Sequence, residues 1–241
     1  MWHHEGMASE STSRAQARLR TEQRILELGR QHLAHYGAAA LSLRAIARDL
    51  DMVSSAVYRY VASRDDLLTL LVVDAYTELA DQVATAHGAV PAGRYREQLR
   101  VSCRAFHDWA VSEPARYALL YGSPVPGYQA PAEQTTEPGI RVIGLLLRTL
   151  ADAEAAGQIN PQSHSAETDS AVDFDSIRTE FDLALGDENM HAALALWAIT
   201  IGLTSLEVFG QFGADPPMDL SALFTAQIDG LLDRICLPDL R

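Results

Sequence analysis

The sequence predicts an all-α protein in which a three-helix N-terminal domain precedes a helical bundle, and three observations predict it. Apolar residues recur at i, i+3, i+4 and i+7 through most of the 241 residues, the spacing of a buried helical face. Between Leu41 and Leu68, two short patterns of this kind are separated by a three-residue turn, which makes a helix-turn-helix. Charge divides along the chain as well. The net charge is −13, yet residues 14–64 hold nine arginines against Glu22, Glu27, Asp49 and Asp51, a balance of +5. An acidic body with one basic end would be oriented toward phosphates by that end, and such binding weakens with salt.

Residues 1–20 read as a disordered basic arm, because the first thirteen are small and polar and Arg14, Arg18 and Arg20 follow. His3 and His4 have no Cys or further His nearby, so a loose tail is expected there rather than a metal site. The first domain is expected over 21–86. Its first helix carries Ile25, Leu28, Gly29, His32, Leu33 and Tyr36 on one face and ends at Gly37. His32 on that face reads as a satisfied core histidine. Ser42 is the N-cap candidate of the second helix, whose buried face is Leu43, Ile46, Ala47 and Leu50. Asp51 accepts a left-handed backbone and lets the chain turn. A third helix then starts at Ser54 with Val57 inward. Ser63, Arg64, Asp65 and Asp66 form a capping box, and Leu68, Leu71, Val72, Ala75, Tyr76, Leu79 and Val83 continue a helix to Ala86.

The outward chemistry of this domain suits a DNA groove. Ser54, Ser55 and Ala56 are small enough for close approach, while Tyr58, Arg59, Tyr60, Arg44 and Ser42 are placed to reach phosphates or base edges, with Arg64 as a further phosphate clamp. The same spacing also occurs at ordinary helical corners. Residue order favours DNA: S-L-R-A-I-A-R-D-L, V-S-S-A-V-Y-R-Y-V and S-R-D-D-L-L resemble the N-terminal domain of the tetracycline repressor (TetR) family of one-component bacterial regulators. Asp51 stands where that family usually has Gly, and Val61 where it usually has Phe. Both departures keep the chemistry that the position needs.

His87–Gly93 is rich in Gly and Pro and marks the boundary to a second domain over 87–241. Helices are expected over Arg94–Ser112, Pro114–Tyr121 and Gly139–Ala156, with a Gly- and Pro-rich loop before the last of these. Residues 160–189 hold eight acids against Arg178 and read as an exposed acidic spacer, with a turn or two of helix where Phe174, Ile177 and Phe181 share a face. Met190–Phe212 is apolar on two sides, so it must be covered on two sides. A final helix presents Leu220, Leu223, Phe224, Gln227, Ile228, Leu231 and Ile235. Leu196, Leu203, Leu220, Leu223, Gln227 and Leu231 are therefore the candidate faces for a two-fold dimer.

Y-A-L-L-Y-G-S-P-V-P-G-Y with W-A-I-T-I-G-L-T-S-L-E-V-F-G-Q-F resembles the ligand-binding domain of a TetR branch named for a Trp-His-Gly signature. Trp197 and Gly202 match, while Ile201 occupies the His position, which argues against a His-dependent ligand contact there. The aromatic supply for an effector pocket is Phe106, Trp109, Tyr117, Tyr121, Tyr128 and Trp197, mixed with Cys103 and His107, and it suits a small, largely hydrophobic compound. Core packing is the alternative for each of them. Cys103 and Cys236 read as buried free thiols of a reducing, cytoplasmic setting. MWHHEGMASESTS has no apolar core that would read as a secretory signal, and the longest charge-free apolar run, Ala192–Leu206, is short for a membrane span. There is no Gly-rich phosphate loop, no H-E-x-x-H, no G-x-S-x-G and no Cys or His cluster, so neither an enzyme nor a cofactor or metal is expected. Two functions stay open. The chain is a homodimeric regulator of double-stranded DNA released by an effector, or a constitutive or architectural DNA-binding protein without one.

Overall fold

The computed structural model describes residues 5–160 and 172–239. Within them are α1 (Glu5–Tyr36), α2 (Leu43–Asp49), α3 (Ser54–Val57), α4 (Arg64–Gly88), α5 (Tyr95–Ser112), α6 (Pro114–Tyr121), α7 (Ala132–Ala155), α8 (Asp175–Phe181), α9 (Asp187–Val208) and α10 (Leu220–Ile235), with a 3-10 turn at Ala38–Ala40. The protein is all-α; among the described residues, β pairing is confined to an antiparallel bridge between Ile159 and Cys236. Two compact units result, one comprising Met1–Ala75 with Ala115–Thr135 and the other Tyr76–Pro114 with Thr136–Arg241.

In the first unit, Ile25 of α1, Leu43, Ile46 and Ala47 of α2, Val57 of α3 and Leu67, Leu68 and Leu71 of α4 form a single core. The periodicity of each helix accounts for its inward face. Gly29 lets α1 approach α4, since a Cβ there would lie 3.3 Å from Leu71. Asp51 adopts φ 54°, and its amide and that of Met52 bond back to Arg48 and Ala47, closing α2 in the left-handed cap expected of Asp. Ser63 Oγ accepts from the Asp66 amide at 3.0 Å, the first half of the capping box. Ser42 sits at the N-cap of α2, but its side chain makes no capping bond. His32 is satisfied by Asp49 at 2.7 Å, as a core histidine should be.

Two segments of this unit depart from expectation. The helix α1 begins at Glu5 rather than after a loose arm, since Ala15, Gln16, Ala17, Arg18 and Leu19 all favour helix and Arg18 pairs with Glu22 one turn on. α6 and the loop after it join the reading head, although the sequence groups them with the C-terminal domain. Leu119, Val125 and Tyr128 pack on the head core, Tyr128 Oη lies 3.0 Å from Thr69 Oγ1, and Arg116 reaches Asp74 at 3.0 Å.

The second unit is a bundle of α5, α7, α9 and α10 around Leu99, Cys103, Leu146, Leu147, Leu150, Leu196, Phe224, Ile228 and Leu232. Its α5–α10 pairing is antiparallel, with Arg96 on Asp233 at 2.5 Å and Arg104 on Thr225 at 3.4 Å, two turns apart. α7 starts at Ala132, two turns before the expected Gly139, because Pro138 removes only one backbone donor and helix-favouring residues precede it. Gly157, at φ 68°, closes it. The acidic spacer lies outside the described residues over 161–171; beyond it Phe174 and Leu185 are buried, so its second half is anchored in the core rather than exposed. Gly144 is what admits α8, since a Cβ there would meet Phe181 at 2.8 Å. The α5 N-terminus is capped from a distance. Asp239 accepts from the Arg96 and Glu97 amides at 3.2 and 2.9 Å, where Arg94 makes no capping bond.

Candidate nucleic-acid interface

All nine DNA-directed residues lie in the first unit, between Ser42 at the N-cap of α2 and Arg64, the first residue of α4. α3 and the turn after it bring Val57 fully into the core and leave Ser55, Tyr58 and Arg59 exposed, with Ser54, Ala56 and Tyr60 half-buried. Arg44 and Arg48 of α2 are exposed beside it in sequence. A surface of small, hydroxylated and cationic side chains at the start of the second helix of a helix-turn-helix can enter a major groove and bond to phosphates. Two of the nine have other engagements. The Arg64 guanidinium donates to the Ala38 carbonyl at 2.9 Å, so it ties the 3-10 turn to α4 instead of pointing outward as a clamp. Tyr60 carries the Arg18 guanidinium over its ring at 5.6 Å, which brings the arginine-bearing part of α1 to the end of the recognition segment.

The effector candidates divide between the units. Cys103, Phe106, His107, Trp109 and Trp197 lie in the second, whereas Tyr117, Tyr121 and Tyr128 lie in the first. In the second unit, Phe106 meets Trp197 edge-on at 5.4 Å, His107 stacks on Phe224 at 4.2 Å and bonds Glu207 at 2.8 Å, and Trp109 Nε1 donates to Glu78 at 3.2 Å. Burial pushes the Cys103 thiol up to about 12, and burial with the nearby Asp239 carboxylate does the same for Cys236. Both thiols therefore stay protonated at neutral pH and are poor nucleophiles. Among the described residues, no group of three or more His, Cys, Asp or Glu could hold a metal ion.

Of the dimer candidates, Leu196 is a correction. It is fully buried in its own chain, on the inward face of α9 with Met190, Ala193, Thr200 and Thr204, and belongs to the core. Leu203, Leu220, Leu223 and Leu231 are half-buried, and Gln227 is exposed. The outward side of α9 runs through Ala195, Ala198, Gly202 and Leu206 to Phe209 at its C-cap, the last two each 40% exposed. Ala222, Ala226 and Gly230 give α10 a similar small-residue face. α9 is long and apolar enough to cross a membrane, and only 22% of its most apolar stretch is buried within the chain.

Residues 25–71 match the family model described as bacterial regulatory proteins, tetR family, and residues 99–231 match that of the tetracyclin repressor-like C-terminal domain. The helix-turn-helix transcriptional regulator Rv1816 of Mycobacterium tuberculosis is 49% identical over 214 residues, spanning 89% of this chain and 92% of that protein. The chain belongs to the TetR family. Its counterpart Mb1846 in Mycobacterium bovis matches to the same degree. The crystal structure of the regulatory-protein candidate SCO4313 superposes with a TM-score of 0.70 at 32% identity, covering 91% of this chain and 98% of that one. A Rhodococcus sp. RHA1 protein of unknown function shares the fold at a TM-score of 0.69 and 22% identity, over 89% and 95% of the two chains.

Two features of this TetR-family chain lie outside the residues that the sequence singles out. Glu207, the partner of His107, lies one hundred residues away from it, and nothing local in either segment signals the pair. Val53 precedes α3 where a capping Ser, Thr, Asp or Asn is the common choice, and that substitution is a signal the sequence does contain.

Proposed function

We propose that this chain is a transcriptional repressor which binds a pseudo-palindromic operator as a homodimer and leaves it when a small, largely hydrophobic effector enters the second unit. It acts on double-stranded DNA in the cytoplasm, and no step of this function calls for catalysis. The observation that carries the reading is the exposed apolar face of α9 beside the small-residue face of α10. A second copy covers such a face isologously, and a dimer supplies the two reading heads that a two-fold operator needs. Lipid is a poorer partner, because the inward side of α9 carries Asn189, Thr200 and Thr204 and both ends carry acids.

Effector coupling rests on α4, a single helix whose first half belongs to the first unit and whose second half belongs to the other. A ligand among Phe106, Trp109, Trp197, Cys103 and His107 that displaces the far end of α4 would move the start of the same helix at the head. A hundredfold loss of operator affinity needs about 2.7 kcal/mol of difference between the two states. One observation favours the effector-free alternative: Trp109 and His107 are already hydrogen-bonded inside the fold, as core residues would be.

Sequencing the genomic fragments retained by the purified protein would give the operator. Fluorescence anisotropy on that duplex, titrated with small aromatic and aliphatic compounds, then tests release. Binding of two protomers per duplex and loss of binding with at least one compound are expected. Enrichment of no sequence would refute the regulator, and binding by single protomers would refute the dimer. Insensitivity of both the protein and a Trp109→Phe variant to every compound would favour the effector-free reading.

A further inference from the structure

Val53 breaks two stability rules at once. It is the N-cap of α3, in extended backbone at φ −68° and ψ 141°, and no side chain caps the helix there. Ser, Thr, Asp and Asn are favoured at this position because their side-chain oxygen accepts a bond from an orphan amide of the first turn, which valine cannot do. Val53 is also 71% exposed, the most exposed large hydrophobic side chain among the described residues. The head does not need it for packing, since Met52 before it and Val57 after it supply the core contacts. A valine that neither caps nor packs lowers stability, and local violations of this kind collect where a chain meets its ligand.

Its place says which ligand. The recognition helix of a helix-turn-helix contacts base edges with its N-terminal residues, and Val53 stands at that end beside Ser54 and the exposed Ser55. On the major-groove edge, the four bases present hydrogen-bonding groups and one apolar group, the C5-methyl of thymine. Valine has no donor or acceptor. The one base feature it can reward is that methyl, through burial and dispersion.

We infer that Val53 is a specificity-determining residue which reads a pyrimidine C5-methyl group, that of thymine, in each operator half-site. This rests on the DNA-binding reading above and adds to it the base that is read. The side chain approaches a methyl that the duplex already displays, so reading it requires no distortion of the DNA. The gain per half-site is that of burying about one methyl, roughly fourfold in affinity, and about sixteenfold when both half-sites contribute.

The test uses the full-length protein and a duplex that it has itself selected from a random-sequence pool. Each thymine is replaced in turn by deoxyuridine, which removes only the methyl, and each cytosine by 5-methylcytosine, which adds one. At one position per half-site, deoxyuridine should weaken the wild-type protein about fourfold, and Val53→Ser should bind thymine and deoxyuridine duplexes equally there. The variant should melt at or above the wild-type temperature, because serine caps the helix. Equal affinity of the wild type for all deoxyuridine duplexes would overturn the inference, as would an undiminished methyl effect in Val53→Ser. A lower melting temperature would do so too, by showing that Val53 packs. Tighter binding at a 5-methylcytosine without loss at any deoxyuridine would overturn the assignment to thymine. Selection of no sequence at all would instead be the failure of the DNA-binding reading itself.

Discussion

Gly202→Glu offers a clean test of the proposed dimer. Gly202 lies on the outward side of α9, and a Cβ built there meets nothing within 4 Å. Within one chain the glutamate side chain would therefore reach water without a clash. Replacing a glycine in a helix interior should favour the helix by about 0.5–1 kcal/mol, since the backbone entropy that glycine loses on folding is reduced. At a two-fold interface the outcome is opposite. Each protomer would bring its own carboxylate into an apolar face of Ala195, Ala198, Leu206 and Phe209, where no cation stands on the helix to meet it. Stripping water from unpaired charges costs several kcal/mol, and even about 3 kcal/mol per dimer raises the dissociation constant about 150-fold. Sedimentation equilibrium at micromolar concentration should give twice 26.3 kDa for the wild type and 26.3 kDa for the variant. Circular dichroism should show equal helix content in both. A variant that stays dimeric with the wild-type dissociation constant would refute the assignment of this face.

Three further outcomes follow from the geometry. Asp239→Ala removes the carboxylate that accepts the Arg96 and Glu97 amides, so the melting temperature should fall by the few degrees that correspond to about 1 kcal/mol, and an unchanged melting curve would show that water replaces the cap. Tyr58, 45% exposed at the C-cap of α3, is expected to bond a phosphate, so Tyr58→Phe should weaken selected and random duplexes by the same factor in anisotropy titrations; a loss confined to the selected duplex would make it a base contact instead. Burial holds His87 below its ordinary value of 6.5, outweighing the nearby Asp152 carboxylate. The folded state then binds a proton less readily than the unfolded one. The His87 contribution is accordingly intact above about pH 6.5 and lost as pH falls through the lower folded value, so a His87→Gln protein should show a shallower decline of melting temperature between pH 7 and 5 than the wild type.

The reading head was largely legible in the residues because its determinants are local. Asp51 tolerates the left-handed turn, Ser63 caps the helix that follows, and Leu43, Ile46, Ala47, Leu50 and Val57 fall at helical spacing, each within a few residues of the feature it decides. Family membership followed from the order of those same residues. Helix boundaries were less legible. Pro138 reads as the opening of a helix and the small polar residues before Arg14 as a loose arm, yet one missing donor costs a helix little when helix-favouring neighbours precede it, and α7 and α1 start earlier.

The partition of surfaces belongs to the tertiary structure. Periodicity told that α9 is apolar on two sides, but both stripes look alike in sequence, and only packing against α5 and α10 turns Leu196 inward while Leu206 and Phe209 stay outside. Likewise, Arg64 was a cation beside a DNA motif until the Ala38 carbonyl, 26 residues away, was found at its guanidinium. The same holds for His107 with Glu207 and for Asp239 at the head of α5, pairs separated by 100 and more than 140 residues. Backbone hydrogen bonding and hydrophobic spacing act over one helical turn, so the sequence by itself determined the helices and the reading head. Side-chain pairing and burial depend on which turns meet in space, so only the folded chain decided which charges are already spent and which faces remain open.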